Sequence, residues 1–141
     1  MRHEFVEHMP DQLEADVLYV SIQYDLAMHR CFCGCGQEVV TPLSPAEWSL
    51  GYNGRSVSLH PSIGNWSFPC KSHYWIKDGK VVWASRFSDE KIAMVREKDR
   101  QDLGREYDEP KPDRATKPES DPTPQPAAKK GWLARLAERF F

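Results

Sequence analysis

The chain is 141 residues long, with 40% hydrophobic and 28% charged residues and a formal charge of −2. That length holds one domain of ordinary size, and the near-neutral charge gives no whole-protein reason to expect nucleic acid. No apolar run approaches the roughly 18 residues of a membrane-crossing helix, and Met1-Arg2-His3-Glu4-Phe5 has no apolar signal-peptide core, so the cytoplasm is the expected compartment.

Residues 1–12 mix charges with a proline and read as a lead-in. His3 and His8 within them read as surface residues. Residues 13–26 are rich in β-branched and aromatic side chains. Leu18, Val20, Ile22 and Tyr24 alternate along them, which predicts a strand.

That strand delivers the run His29-Arg30-Cys31-Phe32-Cys33-Gly34-Cys35-Gly36. The remaining cysteine lies in Cys70-Lys71-Ser72-His73. Thiols crowded at alternate positions are poor disulfide partners, and in a reducing compartment they favour a metal. Gly34 and Gly36 let the backbone curl so that neighbouring sulfurs can chelate. Two zinc ligand sets compete: Cys31, Cys33, Cys35 and Cys70, or Cys33, Cys35, Cys70 and His73. The first is a closed, structural type of site and is favoured.

Glu38-Val39-Val40-Thr41 reads as a short strand stopped by Pro42. Ser44 to Trp48 has the residues of one helical turn, with Ser44 as N-cap, Pro45 first and Glu47 third. Asn53-Gly54 is a hairpin signal, pairing 48–52 with 55–59. Gly64-Asn65 and Pro69 break the next stretch into a loop. A second hairpin turns at Asp78-Gly79, joining 73–76 to 80–84. Ser88 is placed to cap a helix to about Leu103, with Asp89 and Glu90 at its positive end and Ile92, Met94 and Val95 as a short apolar stripe.

Six prolines lie between Pro110 and Pro126 among charged and small polar residues, so 104–128 is expected to be a disordered linker. In 129–141, Trp132, Leu133, Leu136 and Phe140 follow helical spacing, with Lys129, Lys130, Arg135 and Arg139 around them. This predicts a short amphipathic helix that folds on binding. It suits an anionic membrane surface or, as the favoured reading, a groove on a protein partner.

The expected fold is therefore mainly β, a small α+β domain over 13–103: a zinc-stabilised antiparallel sheet with a following helix, then the linker and the C-terminal amphipathic helix. Trp48, Trp66, Tyr74, Trp75 and Trp83 read as core of so small a sheet domain more readily than as a binding surface. Beside Cys70, two segments offer a hydroxyl (Ser62), two imidazoles (His60, His73), an amide (Asn65) and a glycine-bearing turn. That inventory suits acyl transfer, which needs a nucleophile, a base and oxyanion donors. Each group also has a plain structural reading, as a turn residue or a neighbour of the metal site.

The strings Cys31-x-Cys33-Gly34-Cys35-Gly36, Val39-Val40-Thr41-Pro42-Leu43, His60-Pro61-Ser62-Ile63-Gly64-Asn65-Trp66 and Cys70-x-Ser72-His73-Tyr74-Trp75-Ile76 resemble a family of small bacterial proteins. Its members are encoded beside ubiquitin-like proteins and their activating-type and conjugating-type enzymes. The resemblance covers about residues 27–84. It implies a zinc-binding peptidase that processes or removes a ubiquitin-like modifier in an antiphage-type conjugation pathway. It also implies Cys31, Cys33, Cys35 and Cys70 as metal ligands, and Ser62, His60 and His73 as candidate catalytic groups. The expected partners are the ubiquitin-like protein and, through the terminal helix, a conjugating or activating enzyme. The rival reading is an adaptor that binds the modifier or its conjugating enzyme through an aromatic face and does no chemistry.

Overall fold

A computed structural model describes residues 1–108. The expected amphipathic helix and most of the expected linker lie outside the described residues. Among the described residues, eight strands make two four-stranded sheets. The first contains β1 (Arg2–Phe5), β2 (Val17–Ser21), β3 (Leu26–Arg30) and β4 (Glu38–Pro42), in that order. The second contains β5 (Ser49–Tyr52), β6 (Val57–Gly64), β7 (His73–Lys77) and β8 (Lys80–Trp83), also in chain order. One helix, α1 (Asp89–Asp108), follows. The mainly β expectation agrees with this architecture.

The lead-in holds a strand: β1 lies parallel to β2, with Arg2 opposite Val17 and Phe5 opposite Val20. All other strand pairs are antiparallel. The single strand expected over 13–26 is two strands and a turn. β2 ends at Ser21, and Ile22–Asp25 reverse the chain with Asp25 at φ 49°. Ile22 and Tyr24, expected to continue the alternation, sit exposed in that turn.

Both predicted hairpins form. Asn53 accepts the N–H groups of Arg55 and Ser56 on its side-chain oxygen, at 2.9 Å each, and so fixes the β5–β6 turn. Asp78 and Gly79 both have positive φ, as a two-residue turn between paired strands requires. Ser44 to Glu47 make a turn closed by Glu47 N–H on the Ser44 carbonyl at 3.1 Å, without becoming a helix. The Ser88 hydroxyl accepts the Lys91 N–H at 3.3 Å, as a helix N-cap does, and α1 runs on to Asp108, past the expected end near Leu103.

The two sheets share one core. Leu18, Val20, Ala27 and Val39 from the first meet Val57, Leu59, Ile63, Tyr74 and Ile76 from the second. β2 is buried on both faces, because Val17 and Tyr19 pack on its other side with Leu13, Val6 and Met9. Of the aromatic residues expected as core, Tyr74 is fully buried, Trp83 is exposed, and Trp48, Trp66 and Trp75 lie between.

Candidate functional site: a serine–histidine pair beside a cysteine cluster

Along β6 and β7 the inward residues are Leu59, Ile63, Tyr74 and Ile76. Side chains alternate across a strand, so Ser62 and His73 belong to the opposite face. Gly64 pairs with His73, and Ser62, two residues back on the same face, is the diagonal neighbour of that histidine. The Ser62 Oγ lies 2.9 Å from His73 Nε2. His73 Nδ1 lies 2.9 Å from the backbone carbonyl of Ser85. A carbonyl can only accept, so Nδ1 carries the proton. In the neutral ring Nε2 is then an acceptor, and it faces the serine hydroxyl. The Ser62 O–H donates to it.

Rings and polar contacts hold this geometry. The Phe87 ring centroid is 4.5 Å from that of His73, and Trp66 is 5.0 Å away. Trp66 lies so close over Gly64 that a Cβ there would run into its ring, so this position of β6 needs glycine. The segment carrying Ser85 is braced by Arg86, which donates to the Cys70 carbonyl at 3.0 Å. Lys71 pairs with Asp89 at 2.8 Å, and Lys71 is the main reason the Asp89 carboxyl is held below its ordinary range.

Ser62 and His73 open onto a cavity of about 450 Å³. Trp48, Trp66 and Phe87 line one side, and Val95, Asp99, Asp102 and Leu103 of α1 line the other. Partial desolvation, and then the Asp102 carboxylate, raise the Asp99 carboxyl above its ordinary value.

The third candidate, His60, is placed differently. The register of β6 shifts between Leu59 and Ile63, and His60 is exposed on the strand opposite Ser49. Among the described residues no hydrogen bond joins its ring to Ser62. The glycine expected in an open turn, Gly64, lies instead within β6.

The four cysteine sulfurs lie within 4.8 Å of one another, and none is in a disulfide. Cys31 Sγ is 3.4 Å from Cys33 Sγ and 3.9 Å from Cys70 Sγ, and Cys35 Sγ is also 3.9 Å from Cys70 Sγ. A tetrahedral four-sulfur site with metal–sulfur bonds of about 2.3 Å has sulfur–sulfur edges of about 3.8 Å, so the spacing fits a metal ion. Gly34 and Gly36 have φ of 89° and 81°, the curl that brings alternate cysteines together.

The surroundings suit thiolates. The Cys35 N–H donates to Cys33 Sγ at 3.3 Å, and the Asn65 amide reaches Cys31 Sγ at 3.7 Å. The Ser72 oxygen accepts from Asn65 at 2.9 Å, which leaves its one proton for a neighbouring sulfur, Cys31 Sγ at 3.1 Å or Cys70 Sγ at 3.4 Å. Without a cation the crowded thiols resist ionising together. Desolvation, then the neighbouring thiols of Cys31 and Cys35, push Cys33 up to about 12. At Cys70 desolvation also pushes upward. Hydrogen bonds from the Ser72 hydroxyl and backbone N–H, with those from Cys33 and Cys35, together outweigh it and bring this thiol down to about 7.

The rival ligand set with His73 is not brought together, since both nitrogens of that ring face Ser62 and Ser85. A buried chain continues inward from the cysteines. Asn65 donates to the Tyr74 oxygen at 3.2 Å, and that oxygen shares a hydrogen bond with His29 Nε2 at 2.8 Å. Burial depresses the His29 pKa to about 3, so its ring is neutral.

Three contributors carried no sequence signal. The Ser85 carbonyl is backbone, and every residue has one. Ser72 aims at sulfur only once Cys31 is folded beside it. The α1 wall depends on tertiary docking.

Comparison with known proteins bears on this arrangement. Searches of the curated proteins and of the solved structures found no match. A family profile described as the bacterial ubiquitination-like system serine protease (BubE) matches residues 5–84, more than half the chain. That stretch spans the cysteine cluster, Ser62 and His73, and the chain belongs to the BubE family of bacterial ubiquitination-like systems, a family named for serine protease activity.

Proposed function

We propose that this chain is a hydrolase that cleaves an acyl bond at the C-terminal tail of a ubiquitin-like modifier. Ser62 is the nucleophile and His73 the general base. The observation that carries the reading is the 2.9 Å contact from Ser62 Oγ to His73 Nε2, with Nδ1 anchored on the Ser85 carbonyl. A serine hydroxyl is weak until a base removes its proton, and a base works only in the right tautomer. Here a backbone carbonyl takes the orienting place that a carboxylate fills elsewhere.

The steps balance with these two residues and water. Ser62 Oγ bonds to the acyl carbon as its proton passes to His73 Nε2, and the carbonyl π pair moves onto oxygen. The carbonyl re-forms, the bond to the leaving nitrogen or oxygen breaks, and His73 returns the proton to that atom. A water then gives a proton to His73 and attacks the acyl carbon. Ser62 leaves with the proton, and the tail is released as a carboxylic acid.

The four cysteines would hold a zinc ion. With four thiolates it lacks an open position, so its part is to fix the chain between β6 and β7. A resident ion would supply rigidity, while the proton transfers belong to Ser62 and His73. Family membership supports a ubiquitin-like partner, and the cavity beside the pair offers room for its tail.

The test is incubation of the metal-loaded chain with a ubiquitin-like protein carrying a C-terminal extension, read by mass spectrometry. Cleavage that vanishes in Ser62→Ala and His73→Ala, with metal content unchanged, supports the hydrolase. Stable binding without cleavage would sink it in favour of the adaptor.

A further inference from the structure

Trp48 immediately precedes β5, whose first residue Ser49 pairs with His60. Trp48 itself bridges to Leu43. Its ring lines the same cavity as Ser62 and His73. The Trp48 indole N–H is shut from water and has no acceptor among the described residues. Buried indole donors ordinarily find a partner, so this one is held at a cost beside a nucleophile and its base.

We infer that the Trp48 Nε1–H donates a hydrogen bond to the oxygen of the carbonyl that Ser62 attacks, and so stabilises the charge that forms there. The inference rests on the reaction proposed above. That reaction turns a carbonyl into an oxyanion, the strongest acceptor it generates, and a preorganised donor in a dry site acts most on such a group. The opposite wall is α1, of which Ile92 is the buried residue. For the acyl group to reach the indole, this wall must move outward.

The test uses the full, metal-loaded chain with p-nitrophenyl acetate, following acetylation of Ser62 by mass spectrometry. Trp48→Phe keeps an aromatic ring and removes the donor together with part of the ring system. Acylation is expected to slow about a hundredfold while KM moves by less than about threefold. Trp48→Phe acylating at the wild-type rate overturns the inference and leaves the Ser62 reaction standing. A wild-type chain that never acylates Ser62 overturns both.

A second measurement needs no substitution. With indole-¹⁵N-labelled protein and a peptide aldehyde, which forms a hemiacetal on the serine, the Trp48 indole proton should move downfield. A hemiacetal that leaves this resonance in place overturns the inference, even if Trp48→Phe fails to fold.

Discussion

The two faces of the second sheet are built from alternate residues of the same strands and differ in kind. Facing the first sheet, Leu59, Ile63, Tyr74 and Ile76 are almost wholly buried. Facing α1 are Ser62 and His73, with rings around them and a cavity in front. One register serves both faces, so a slip of one residue would turn Ser62 into the core and Ile63 towards α1. Core packing on one side therefore positions chemistry on the other, and the two can be separated by substitution.

Metal removal should strike both faces at once and have the largest effect. Cys70 lies in the connection from β6 to β7, between the strand of Ser62 and the strand of His73, while Cys31, Cys33 and Cys35 follow β3 of the first sheet. Structural zinc sites supply about 10–16 kcal/mol of apparent binding energy that is also folding energy. Chelation should abolish the near-ultraviolet circular dichroism and the cooperative thermal transition, both returning with added zinc. An unchanged melting temperature after complete chelation would show that the sheets stand without an ion.

Ser62→Ala and His73→Ala should separate the faces from the outer side. Loss of the proposed nucleophile should abolish acyl-enzyme, and loss of the proposed base should slow its formation by about 10²–10⁴, roughly 3–5 kcal/mol of barrier. The urea midpoint of Ser62→Ala should stay near that of the wild type. A collapse of stability instead would make the hydroxyl a structural group.

Ile63→Ala should do the reverse. It empties a buried site and should cost about 2–5 kcal/mol in urea unfolding, while the folded fraction keeps its acylation rate at low temperature. Acylation lost in molecules that remain folded would mean that the inner face tunes the outer one beyond holding the register.

The smallest effect is expected from Tyr74→Phe, which keeps the ring and removes the bridge between Asn65 and His29. Two buried polar groups lose a partner, and about 1–3 kcal/mol should follow. Melting of the metal-loaded variant checks it. A neutral outcome would mean that water or the Ser72 and Cys31 side chains satisfy those groups.

What could be read from the residues alone was local. Asn53-Gly54 and Asp78-Gly79 marked both hairpins because their turn chemistry lies within four residues. Ser88 marked the start of α1, and the cysteine spacing marked the cluster. Features that depend on distant partners were not legible. β1 exists because β2 offers it a parallel edge, and nothing in Arg2-His3-Glu4-Phe5 announces that. The turn at Ile22–Asp25 has no glycine or proline to signal it. Ser62, His60 and His73 could be picked as an inventory, but spacing alone could not say which imidazole would meet the hydroxyl. That depended on the register shift in β6 and on the pairing of Gly64 with His73.

The family profile ends at residue 84, and α1 begins at Asp89. The reactive pair and the wall it faces thus occupy consecutive, non-interleaved stretches of chain. A single crossover between Ser85 and Ser88 would join the Ser62 and His73 scaffold of one relative to the helix of another. The joint leaves both sheets and all four cysteines on one side. On the proposed reading, substrate choice in such hybrids becomes a trait that can be transplanted, because the helix brings Val95, Asp99, Asp102 and Leu103 with it and leaves Ser62 and His73 behind.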